Sequence, residues 1–250
     1  MAAETMLRVQ RVTDDRLGCK LYPTPAAERE RPIVIELKEQ TKSSADRAIT
    51  SIRAAIIDGT YPGESMLSEN QLAAQLGMSR TPVRTALARL QDEGWIRIYP
   101  RSGALVRGLT PEDIADIVDA RVVLETSGVT RASSEVRARL AVDLLPAIEE
   151  QRQVLATGDM QRFVELSVEF HGAFLTVGGN PYLIDLGERL ADRQRQMLFA
   201  HQDAMRDRSD HIIEEHQHLL DSLREDDPAR FDRILRAHLS DTLVHNTNLA

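Results

Sequence analysis

Two groups of side chains in this 250-residue chain are of types and spacings that could do chemistry. Arg80 and Arg84 are four residues apart, so on a helix they share one face. A guanidinium pair placed that way can bond guanine edges or phosphate oxygens. His171, His216 and His238 are distant in sequence, and each stands near apolar residues: Phe170 and Phe174, then Leu219, then Leu235 and Leu239. Imidazoles converging from separate helices can hold a divalent metal and leave positions open for a ligand. A lone histidine on a helix is equally a surface or hydrogen-bonded core group, so the metal reading requires the three to meet.

The arginines sit in a segment whose order of parts is informative. Ser68, followed by Glu69, Asn70 and Gln71, is expected to cap a short helix carrying Leu72 and Leu76. Gly77 makes a turn, and Ser79 is expected to cap a second helix, with Pro82 in its first turn. Val83, Ala86, Leu87 and Leu90 form the buried stripe of that helix. After Gly94 the period changes to two: Trp95, Ile98 and Leu105 flank Arg97, Arg101 and Arg107, and Pro100-Arg101-Ser102-Gly103 forms a hairpin tip. Helix, turn, helix and basic hairpin make a winged helix-turn-helix, with Ser43–Asp58 as an amphipathic helix packed behind it. The alternative is an ordinary helical pair with solvated arginines; the wing and the paired arginines favour a DNA reader.

Charge supports the same division. The net charge of −8 argues against DNA binding if taken whole. Residues 41–108, however, carry nine Lys and Arg against six Asp and Glu, whereas residues 109–250 carry fifteen against twenty-six. The basic balance falls in the segment that must meet phosphate.

From Thr110 onward the chain reads as all-helical. Thr110-Pro111-Glu112-Asp113 combines a cap, a proline at the first helical position and acids in the first turn. Helices are expected over 111–127, 134–156, 159–177, 181–204, 210–224 and 228–246, with short breaks that suit an antiparallel bundle. The fold class is therefore mainly α: a winged helix-turn-helix over 41–108, then a helical effector and dimerisation domain over 109–250. Residues 1–40 form an extension read as a tail or a packing arm. The single cysteine, Cys19, fits a reducing compartment. No apolar run approaches the about 20 residues that span a bilayer, and MAAETMLRVQR lacks a signal-peptide core. A cytoplasmic location is expected.

The quoted motifs resemble a known family. Gly59-Thr60-Tyr61-Pro62-Gly63, Leu67-Ser68-Glu69, Ser79 to Leu87 and Glu93-Gly94-Trp95 are similar to the DNA-binding domain of the GntR family. The resemblance implies DNA contacts by Arg80 and Arg84, with Gly103 of the wing approaching the backbone. Asn70 stands where the family often has arginine. Ser68, Ser79, Thr81 and Arg101 complete the candidate DNA set.

The helical part resembles the FCD domain of the FadR subfamily, through Arg121 to Glu125, Phe170-His171, Gly179 to Leu183, Glu215-His216 and Arg236 to Leu239. That likeness implies Zn²⁺ or a similar ion on His171, His216 and His238, beside a pocket for a small organic acid. The family's aspartate, one turn before the first histidine, is replaced here by Ser167, a poorer ligand. Glu169 lies roughly 200° round the helix from His171 and cannot readily substitute. Arg121 is a candidate partner for an effector carboxylate, with an ion pair to Glu125 as the alternative. Asn180 is an effector candidate too, with a helix cap as its alternative. His211, His218 and His245 have no motif support.

The expected function is a ligand-responsive transcription factor, a homodimer on a palindromic operator. The alternatives are a regulator for which the metal itself is the signal, and a metal-dependent helical enzyme with an accessory DNA-binding domain.

Overall fold

The computed structural model describes residues 43–244; the expectations for residues 1–40, Cys19 and His245 lie outside them. Helix α1 (Ser44–Ile57) opens on a capping box: Ser43 Oγ accepts from the Asp46 N–H and the Asp46 carboxylate accepts from the Ser43 N–H. Its buried Ala48, Ile49, Ile52 and Ile56 pack behind α2 (Glu69–Gln75) and α3 (Arg80–Asp92), whose Val83, Ala86, Leu87 and Leu90 are buried in return.

The wing contains one strand more than the hairpin reading supplies. Strands β1 (Met66–Leu67), β2 (Ile96–Tyr99) and β3 (Gly103–Val106) form an antiparallel sheet in the order β1-β3-β2. Two residues are too few to show a period-two pattern, so β1 leaves no mark in the sequence. The buried phase also differs from expectation. Ile96, Ala104 and Val106 face the core with Trp95, while Ile98 is exposed and Leu105 only half-buried. Leu105 pairs with Arg97 on the outer face, and Ile98 lies beyond the edge of the small core.

Eight helices follow: α4 (Pro111–Arg131), α5 (Ser134–Asp143), α6 (Leu145–Thr157), α7 (Met160–Thr176), α8 (Pro181–Ala200), α9 (Gln202–Asp207), α10 (Ser209–Arg224) and α11 (Pro228–Val244). Two of the expected helices are broken. The helix expected over 134–156 stops at Leu144, because Pro146 has no N–H to donate to the carbonyl four residues back. The helix expected over 181–204 breaks at His201. There the ring Nδ1 lies 2.6 Å from Met197 O, the carbonyl its own backbone N–H would use, and that N–H turns to Leu198 O instead.

Phe163, Phe170, Phe174, Phe231, Leu219 and Leu235 fill the bundle core. The two halves meet along α8. The Arg193 guanidinium stacks 3.6 Å from the Trp95 ring centroid and donates to Gly94 O at 2.9 Å. Gln196 Nε2 reaches Arg107 O at 3.4 Å, and Arg53 of α1 bridges Glu93 and Asp192.

Helices α4 and α7 approach closely enough that only glycine fits at 128. A Cβ there would lie 2.1 Å from Phe174 O and 2.6 Å from Leu175 O. Gly→Ala in a helix interior ordinarily stabilises by about 1 kcal/mol. Here Gly128→Ala is expected to cost about 3 kcal/mol through overpacking, read as a lower urea midpoint with an unchanged slope.

Candidate functional site

The first site is a concave surface on the winged helix-turn-helix, lined by Ser68, Glu69, Asn70, Arg80, Arg84 and Arg101 among others. Helix α3 presents Arg80 and Arg84 side by side, both well exposed. The Glu69 carboxylate holds them as a pair: Arg84 Nη2 is 3.1 Å and Arg80 Nη2 3.3 Å from Oε2. Hydrogen bonding from Arg84, then from Arg80, keeps the Glu69 carboxyl below its ordinary pKa. Glu69 thus orients both guanidinia, a role that motif reading did not assign.

Opposite stands the wing. Arg101 sits at its tip with φ +67°, a left-handed turn conformation that pushes the side chain outward. Gly103 has a cause inside the fold: a Cβ there would lie 2.5 Å from Leu67 O of β1. Ser68 and Ser79 occupy N-cap positions with extended backbone, but neither hydroxyl makes the expected capping hydrogen bond. Thr81 and Asn70 are exposed on the same half of the molecule.

The second site is the meeting of three histidines in the bundle. His171 of α7, His216 of α10 and His238 of α11 are all buried, with ligand atoms within 4.8 Å of one another. Each ring is held from behind. His171 Nδ1 lies 2.7 Å from Glu125 Oε2, His216 Nδ1 2.7 Å from Gln151 Oε1, and His238 Nδ1 2.6 Å from Glu215 Oε2. Oxygen partners at Nδ1 fix the orientation of each ring.

His171 Nε2 and His238 Nε2 are 3.2 Å apart, and His216 Nε2 is buried with no hydrogen-bond partner. Burial drives the pKa values of His171 and His216 well below the ordinary value, which favours neutral rings. Three buried imidazoles held at Nδ1 have the character of a divalent-cation site, and the orphaned His216 Nε2 fits that group.

Ser167 is buried in the wall of the adjoining cavity with Arg121, His171, Arg208 and His238, in the place the aspartate would take. Glu169 is exposed beside Arg162 and stays out of the site. Arg121 makes the ion pair with Glu125 that was its alternative reading. Its Nε donates to Glu125 Oε1 at 3.0 Å, while Nη2 is buried with no partner. Burial raises the Glu125 pKa to about 7, against the pull of Arg121. Asn180 caps α8, accepting from the Tyr182 and Leu183 N–H groups, and is absent from the cavity wall. His211 and His218 are exposed.

Motif reading missed the three groups that orient the rings. Glu125 and Glu215 had a signal, since both lie inside the quoted motifs. Gln151 had none, because it comes from α6 and only the packing of α6 on α7 and α10 brings it to His216.

Residues 44–106 match the model of bacterial regulatory proteins of the gntR family, and residues 116–241 match the FCD domain. The chain belongs to the GntR family of transcriptional regulators. The FCD domain is the architecture of its FadR subfamily. A gluconate operon transcriptional repressor of Bacillus licheniformis is 31% identical over 180 residues, covering 72% of each chain. An HTH-type transcriptional regulator of Agrobacterium vitis is 35% identical over 142 residues, covering 54% of this chain and 83% of its own. A solved GntR-type regulator from Rhodococcus sp. RHA1 shares the fold with TM-score 0.67 at 24% identity, over 82% of this chain and 98% of its own.

This GntR regulator is a ligand-responsive DNA-binding protein, and its relatives are regulators rather than enzymes. The enzyme alternative is set aside on that ground. Among the described residues no helix is long and apolar enough to cross a membrane.

Arg84→Ala is expected to weaken operator binding on the order of tenfold and to lower the salt slope by about one. Arg80→Ala should act in the same direction. Fluorescence anisotropy at several salt concentrations checks both, and unchanged affinity in both variants would remove α3 from the groove.

Proposed function

We propose that the chain is a cytoplasmic, homodimeric regulator that binds a palindromic operator and answers to a small organic acid held at a zinc-type centre. The observation that carries the proposal is the convergence of His171, His216 and His238 from three helices, with the Nε2 of His216 orphaned in the core. When bound there, the cation supplies a Lewis-acid anchor for the oxygens of an effector. The protein supplies the rest. Ser167 is neutral, so a position that an aspartate would occupy is left to an acid from solution.

Arg121 Nη2 is a buried donor without a partner in the same cavity wall, and an effector carboxylate meets it as an acceptor. Arg80, Arg84, Arg101, Ser68, Asn70, Ser79 and Thr81 form the proposed operator surface. Gly103 serves it by letting the wing close on β1. Two-fold symmetry in the protein then matches inverted half-sites in DNA.

Zn²⁺ in roughly hundredfold excess over Kd should stabilise the protein by about 2.7 kcal/mol, visible as a rise of several degrees in Tm. His216→Ala should abolish that rise. Ser167→Asp should tighten zinc binding on the order of tenfold and weaken the response to organic acids, because the carboxylate takes the acid's place. Calorimetric zinc titration of the three proteins checks this. Equal zinc affinity in wild type and His216→Ala would defeat the proposal, and operator release by zinc without any acid would make the ion itself the signal.

A further inference from the structure

A second cavity, between α4, α7 and α8, shares Arg121 and His171 with the acid-facing one. Its volume is about 130 Å³, and Leu124, Val168, Leu175, Ile184, Leu190 and Gln194 contribute to its wall. Cavities of roughly this size accommodate a benzene-sized molecule. Gln194 is only 6% exposed, yet its Nε2 has no hydrogen-bond partner. A buried amide donor left unmatched is costly, and it becomes satisfied when a ligand brings an acceptor.

The charges around the cavity decide what kind of acceptor. Arg121 is the cation of the wall, and Glu125 already neutralises it at 3.0 Å. Glu188 adds a further acid. With two carboxylates against one guanidinium, the wall carries no net positive charge to draw in an anion, and the open Arg121 Nη2 is the donor already given to the acid-facing cavity. We infer that the α4/α7/α8 cavity is a second ligand site, for a small, apolar, uncharged molecule whose single carbonyl-type oxygen accepts from Gln194 Nε2.

The site is placed to matter. Gln194 and Arg193 are adjacent on α8 and about 100° apart round its axis. Gln194 faces the bundle, while Arg193 stacks on Trp95 of the DNA-binding half. A molecule held by Gln194 therefore bears on the helix that docks the DNA reader.

The test uses the full chain, titrated calorimetrically with acetophenone, ethylbenzene and benzoate. These share a ring and differ in carrying a neutral acceptor, no acceptor, or a charge. Acetophenone is expected to bind at least tenfold more tightly than either of the others. Gln194→Leu should reduce acetophenone to the level of ethylbenzene, and Ala191→Phe, which fills the cavity from α8, should abolish binding of both. Zinc affinity should stay at the wild-type value in the two variants. Absence of acetophenone binding to the wild type, equal binding in wild type and Gln194→Leu, full binding in Ala191→Phe, or benzoate matching acetophenone would each overturn the inference. Any of these with zinc binding intact leaves the metal reading standing, and loss of zinc binding alone leaves the cavity reading standing.

Discussion

Three imidazole rings meeting inside an apolar bundle are the constraint around which the helical half is organised. Such a cluster is costly by itself, since it takes polar rings out of water and leaves His216 Nε2 without a partner. The surrounding structure enforces it. Glu125, Gln151 and Glu215 tie the Nδ1 atoms from three different helices, and Phe170 stacks on His216 with centroids 4.5 Å apart. Every one of these contacts fixes a ring orientation, so the arrangement is preorganised for an electrophile.

The same economy joins this centre to the rest of the domain. Glu125 shares its two oxygens between His171 and Arg121, so the arginine in the cavity wall and the His171 ring are oriented by one carboxylate. Arg121 cannot move without disturbing His171. These contacts join α4 to α7 and are short, buried and charge-assisted.

The DNA-reading half is built on a different principle. Its functional groups are exposed, and order comes from one carboxylate, Glu69, that collects Arg80 and Arg84. Docking against α8 is mainly by Arg193 on Trp95 and by hydrogen bonds to backbone carbonyls. Interfaces of this polar kind hold a domain in register while leaving it able to shift, which suits a reader controlled from the neighbouring bundle.

The sequence by itself determined the local and periodic parts of this protein. The spacing of Val83, Ala86, Leu87 and Leu90 marks α3, Thr110-Pro111 starts α4, and the four-residue step between Arg80 and Arg84 puts both on one face; these follow from helix geometry over a few residues. It also identified His171, His216 and His238 as candidates, and Ser167 as the missing carboxylate.

Tertiary structure decided what depends on partners distant in the chain. Strand β1 exists only because β3 pairs with it. The buried phase of β2 and β3 was set by where the small core ends. Gln151 orients His216 because α6 packs against α10, and the orphaned atoms of His216, Arg121 and Gln194 are orphans only once the bundle has closed around them. Periodicity records which face of an element is buried, whereas a hydrogen bond between helices tens of residues apart leaves no repeat to be read.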